Sequence, residues 1–78
     1  MKQAFHLFFE EKMVKKPVMF LAARDCGLIL SVRLASIKDH AGEAVVELEG
    51  EVDNIEKAVR MMREQGVKVE SVLGDILQ

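Results

Sequence analysis

Two histidines, one cysteine and thirteen carboxylates hold most of the chemistry open to this chain of 78 residues. His6 lies in an alternating apolar stretch and His40 among turn formers, so their settings do not suggest a metal pair. With Cys26 alone and no C-x-x-C, a metal-carrier reading has no ligand set. Each histidine reads as a surface or partly buried side chain. Cys26 comes just before Gly27, at the expected end of a helix. The dipole there disfavours an anion, so this is the wrong end for a thiolate nucleophile. Glu10, Glu11, Glu47 and Glu49 read as a solvated face, with no pair set apart as acid and base. Lys12, Lys15 and Lys16 follow the first apolar stretch without the arginine or glycine of an anion cradle, and there is no Gly-rich phosphate loop. The expectation is therefore a non-enzyme with no cofactor and no metal.

Such groups must be positioned by a thin core. A single domain over residues 1–78 is expected from the length. It would bury roughly 60–65% of its unfolded surface. Half the residues are apolar, but there is no Trp or Tyr and only four Phe, so Val, Leu, Ile and Met must carry the packing. Cores this thin are often reinforced by metals, disulfides or self-association, and one cysteine rules out an internal disulfide. The lone thiol fits a reducing cytoplasm. No apolar run approaches the roughly 18 residues of a membrane span, and the start does not read as a signal peptide. A net charge of −2 with mixed signs argues against nucleic acid as a partner.

The organising stretch runs from Glu43 to Gly66. Ala44, Val46 and Leu48 alternate with Glu43, Glu47 and Glu49, the period of a strand with one apolar face. After Gly50, Val52, Ile55, Val59 and Met62 recur at helical spacing and form one stripe, which Gly66 ends. Glu51 is a poor N-cap, while Asp53 and Glu56 suit the first turn. Upstream, Gln3–Phe9 alternates as a strand with Phe5, Leu7 and Phe9 on its core face. Glu10–Lys16 is a charged loop. Pro17 is expected at the first helical position of a helix reaching about Cys26, with Val18, Leu21 and Ala22 buried and Met19, Phe20 and Ala23 further round. Leu28–Ile37 is a second strand. Leu28, Leu30, Val32 and Leu34 would face one way, and Ile29, Ser31, Arg33 and Ala35 the other. Residues 38–42 read as a five-residue hairpin loop. Val67–Ser71 is a fourth strand, and residues 74–78 a short tail.

The order β-α-β-β-α-β gives an α+β class: a ferredoxin-like sandwich with two helices on one face of a four-stranded antiparallel sheet. Its first and third strands would be central. Each half repeats strand, helix, strand. An RNA-binding version of this fold would show aromatic platforms on the third strand; that strand instead turns Glu43, Val45, Glu47 and Glu49 outward.

From about Phe5 to Leu73 the chain resembles the NIL domain, a small module found after the ATPase of bacterial methionine importers and before some four-iron four-sulphur ferredoxins. Leu7 and Phe9 match the family's first strand, Pro17-Val18 and Leu21 its first helix, and Glu47-Leu48-Glu49-Gly50 the approach to the second. Residues 62–69, from Met62 through Gly66-Val67 to Val69, match the exit from that helix. The family's Asn-Ile-Leu signature falls on Ser31-Val32-Arg33. Either the ligand differs or binding has been lost and assembly kept.

The resemblance implies a dimeric regulatory module that senses methionine near its pairing surface. A ligand carboxylate would favour the start of the first helix, at Lys16, Pro17 and Val18, with Ser31 and Arg33 orienting it. Lys15 could add charge, and Met13 and Met19 could line an apolar pocket; as plain readings they are solvated loop and core filler. Phe8, Met19, Phe20 and Val45 are the expected interface residues, with Phe8 and Val45 favouring pairing through the open sheet face and a free second strand favouring edge addition. The other reading is a module that binds only protein, within a sulphur-assimilation or transport complex. Neither an ATPase segment nor ferredoxin cysteines accompany the chain, which reads as a free-standing copy or one component of a complex.

Overall fold

The computed structural model describes residues 1–10 and 17–72. The expected loop residues Lys12, Met13, Lys15 and Lys16 and the tail after Val72 lie outside them. The elements are β1 (Lys2–Glu10), α1 (Val18–Asp25), β2 (Ile29–Lys38), β3 (Ala41–Glu49), α2 (Val52–Glu64) and β4 (Lys68–Ser71). They form a four-stranded antiparallel sheet in the order β2-β3-β1-β4, with β1 and β3 central as expected of the ferredoxin-like sandwich. The helices pack on each other, α1 against β2 and α2 against β4.

The core fills the space between helices and sheet. Phe5 and Leu7 of β1 lie opposite Val46 and Ala44 of β3. Ile55, Ala58, Val59 and Met62 of α2 close over them, all buried. Val52, expected in that stripe, is 47% exposed. It starts its helix beyond the last sheet pair, Lys2 with Glu49, where no strand remains beneath it. Phe9 is only half-buried, packed at the edge of the core.

Both helices end in the same device. Gly27 and Gly66 have φ of 67° and 97°, conformations that disfavour any Cβ. The amide of Leu28 donates to the Ala23 carbonyl at 2.9 Å, and that of Gly27 to Arg24 at 3.2 Å. Val67 donates to Met62 at 3.0 Å, and Gly66 to Arg63 at 3.0 Å. These are paired Schellman closures. The first brings Leu28 back toward Ala23. Ala23 is therefore buried rather than further round, and Leu21 is only half-buried. Pro17 is the N-cap of α1 rather than its first helical residue, and its carbonyl accepts from Leu21 at 3.0 Å.

Two expectations about the hairpin are corrected. The five-residue loop is a two-residue turn, because the β2–β3 ladder continues to Lys38 opposite Ala41. Asp39 and His40 both take positive φ, 52° and 67°, as the tight turn with right-handed twist demands. The register also shifts between Val32, opposite Val46, and Leu34, opposite Val45. Arg33 is the extra residue of a β-bulge. Beyond it every side chain changes face: Leu34 leaves the side of Leu30 and Val32, while Ala35 and Ile37 join it.

Candidate functional site

The bulge shapes a cavity at the start of α1. It occupies about 170 Å³ between the helix and the sheet ends. Pro17, Val18, Met19 and Phe20 line it from α1, Ala35 and Ile37 from β2, and Phe9 and Ala44 from the central strands, with Ser36 and Glu43 beside them. Ala35 and Ile37 reach the wall only because Arg33 has inverted the strand's alternation. Pro17 offers no side-chain cap to the first turn of α1. An apolar cavity beside helix-start amides and a carboxylate suits a small molecule with one greasy end and a charged head.

The open face of the sheet has a different character. His6 stacks on Phe8 with ring centroids 4.2 Å apart, and His6 Nε2 lies 3.2 Å from Glu43 Oε2. Lys68 Nζ sits 5.7 Å over the Phe8 ring. Arg33 Nε approaches Glu47 Oε2 at 3.5 Å, and Lys2 approaches Glu49 at 3.9 Å. Phe8 and Val45 are half-buried among these groups. Glu43, Glu47 and Glu49 from β3, with Glu70 from β4, give the face a strongly acidic row.

The expected ligand residues are thus divided. Pro17 and Val18 lie on the helix side, in the cavity wall. Ser31 is opposite Glu47, and Arg33 reaches Glu47, so both are on the open side. Lys16 lies outside the described residues. Of the expected interface residues, Met19 and Phe20 join the cavity wall, while Phe8 and Val45 belong to the open face. Sequence reasoning missed Phe9, Ala35, Ile37, Ala44 and Glu43 as wall residues. Ala44 and Phe9 were legible as core-facing; Ala35 was not, because nothing in its own stretch announces the bulge. Among the described residues no group of three His, Cys, Asp or Glu side chains converges as a metal site, and no helix is long and apolar enough to cross a membrane.

The family model of the NIL domain matches residues 3–71. The chain belongs to the NIL domain family. Among solved structures, this NIL domain is similar to the C-terminal domain of an ABC transporter ATP-binding protein from Enterococcus faecalis. Their TM-score is 0.79 at 22% identity, covering 94% of this chain and 86% of that one. It also resembles a de novo designed protein, Foldit4, with a TM-score of 0.59 at 15% identity, covering 92% and 94% of the two chains. At these identities the likeness shows the fold, shared by a natural domain and a designed one. No curated protein matches the chain.

Proposed function

We propose that this NIL domain is a non-catalytic regulatory module that binds a small α-amino acid with an unbranched apolar side chain, methionine by family resemblance. The cavity at the start of α1 carries this reading. Its wall is almost wholly apolar, and its volume is about 170 Å³. An engineered apolar cavity of about 150 Å³ takes up benzene, so a thioether chain is of suitable size. The ligand carboxylate would meet the start of α1, where no side chain competes as a cap. The ammonium would turn toward Glu43. Ser31 and Arg33, on the far side of the sheet, would act on assembly rather than on this ligand.

By analogy with the ATP-binding protein whose C-terminal domain shares its fold, the module would work beside a transporter ATPase in the cytoplasm. It would act as a homodimer, with occupancy of the cavity biasing the assembly. A thermal-shift panel of free amino acids tests the binding. A ligand taken up only by the native state raises the melting temperature, by about 2.7 kcal/mol of stability at a hundred times its Kd. Methionine and norleucine should raise it and aspartate should not. Ala35→Phe, which fills the cavity from the exposed strand, should abolish the response. If no amino acid at millimolar concentration shifts the transition, the sensor reading fails and a module that binds only protein takes its place. The exposed Phe20 at the cavity wall is the observation favouring that second reading.

A further inference from the structure

Among the described residues, four of the seven exposed large hydrophobics lie on one strand: Ile29, Val32, Leu34 and Ile37 of β2. Phe20, 52% exposed, lines the same cavity as Ile37. β2 is also an outer strand, ten residues long, without proline and with only Arg33 and Lys38 as charges. Long apolar edges of this kind are normally blunted or covered. The opposite edge is protected: β4 has four residues, two of them charged, and Arg63 already holds the Val69 carbonyl. We infer that β2 pairs antiparallel with β2 of a second copy across a two-fold axis between Arg33 and Leu34, joining two sheets into one of eight strands.

The bulge selects the register. In an antiparallel pair, opposed residues must point to the same face. On β2 the helix side carries Leu30, Val32, Ala35 and Ile37, and the open side Ile29, Ser31, Arg33, Leu34, Ser36 and Lys38. One register matches every pair. Ile29 then meets Lys38 of the second copy, Leu30 meets Ile37, Ser31 meets Ser36, Val32 meets Ala35, and Arg33 meets Leu34. A slip of one residue sets helix-side against open-side residues along the strand. A slip of two opposes either Val32 to Arg33 or Leu34 to Ala35, again on different faces. A bulge ordinarily spoils an edge for a regular strand. A second copy carries the same bulge, so the irregularity favours self-pairing over other strands.

Charge agrees with this choice. Pairing through the open faces would bring the rows of Glu43, Glu47, Glu49 and Glu70 from two copies together. At the β2 edge the central cation of each copy, Arg33, has Glu47 of its own chain beside it at 3.5 Å, so the two guanidinium groups near the axis are offset. Leu30 of the second copy, set against Ile37, would extend the cavity wall outward.

This inference rests on the homodimer of the proposed function and adds its geometry. It is tested by mixing two single variants of the intact chain, Ser31→Cys and Ser36→Cys, under a mild oxidant. The mixture should give a disulfide-linked dimer. Each variant alone should not, because its two thiols would lie about 16 Å apart along the strands, beyond disulfide reach. The parent chain, with its buried Cys26, is the control. In parallel, Ile37→Lys should weaken self-association in sedimentation by about tenfold or more while leaving the circular dichroism unchanged. A chain that sediments as a monomer at every concentration overturns the homodimer itself. A dimer that gives no cross-link in the mixture, or links in either variant alone, overturns the edge register and leaves the homodimer standing.

Discussion

The Arg63 guanidinium donates a hydrogen bond of 2.9 Å to the backbone carbonyl of Val69, tying the last turn of α2 to β4. This strand has four residues and a single neighbour, β1, so few other bonds hold it. A bond from a charged donor in a partly buried setting contributes about 1–2 kcal/mol. Arg63→Ala should therefore lower stability to urea by about that amount, with faster hydrogen exchange confined to β4 and the facing residues of β1. Equal protection of β4 in both chains would show that the bond contributes nothing.

The turn between β2 and β3 stores a local cost. Asp39 and His40 both sit at positive φ, where side chains other than glycine and asparagine are disfavoured. Asp39→Asn with His40→Gly supplies the pair preferred in such two-residue turns. The double variant should gain about 1 kcal/mol, read as a higher midpoint in chemical denaturation with an unchanged slope. A loss of stability would mean that the native turn gains more from its own side chains than it loses to backbone strain.

Glu51 caps α2 without a side-chain hydrogen bond to the first turn. Its backbone is already extended, at φ −74° and ψ 145°, as an N-cap requires. Glu51→Ser keeps that conformation and adds a short acceptor for the first-turn amides. The expected gain is about 0.5–1 kcal/mol in thermal unfolding. No gain would indicate that water already serves those amides equally well.

A Cβ placed on Gly50 would collide with the Leu28 Cδ2 methyl. The obstacle is the end of a flexible side chain, so Gly50→Ala should cost stability by forcing Leu28 from its rotamer, about 1 kcal/mol. Leu28→Ala removes the obstacle. In a double-mutant cycle the two changes should therefore couple favourably, the pair losing less than the sum of the singles. Strict additivity would place the cost of Gly50→Ala in the backbone instead.

The element order was readable in advance because each segment declares its own period. Alternation in Ala44, Val46 and Leu48 and helical spacing in Ile55, Val59 and Met62 depend on neighbours in sequence, and so do Gly27 and Gly66, whose positive φ ends both helices. Half of the cavity wall followed from them, since Pro17 and Val18 open the first helix and Ala44 is core-facing. The other half did not. Leu30, Val32 and Leu34 alternate without a break, yet Leu34 lies on the opposite face from the first two.

The sequence by itself determined the α+β class, the order of the six elements, the central pair of strands and membership of the NIL family. Those are set by local periodicity, caps and turn chemistry. Only the tertiary structure decided that Ser31 and Arg33 stand on the far side of the sheet from the start of α1, and that Ala35 and Ile37 line the cavity. A bulge is a property of two strands in register rather than of either strand alone: Arg33 became the extra residue when β2 was laid against β3.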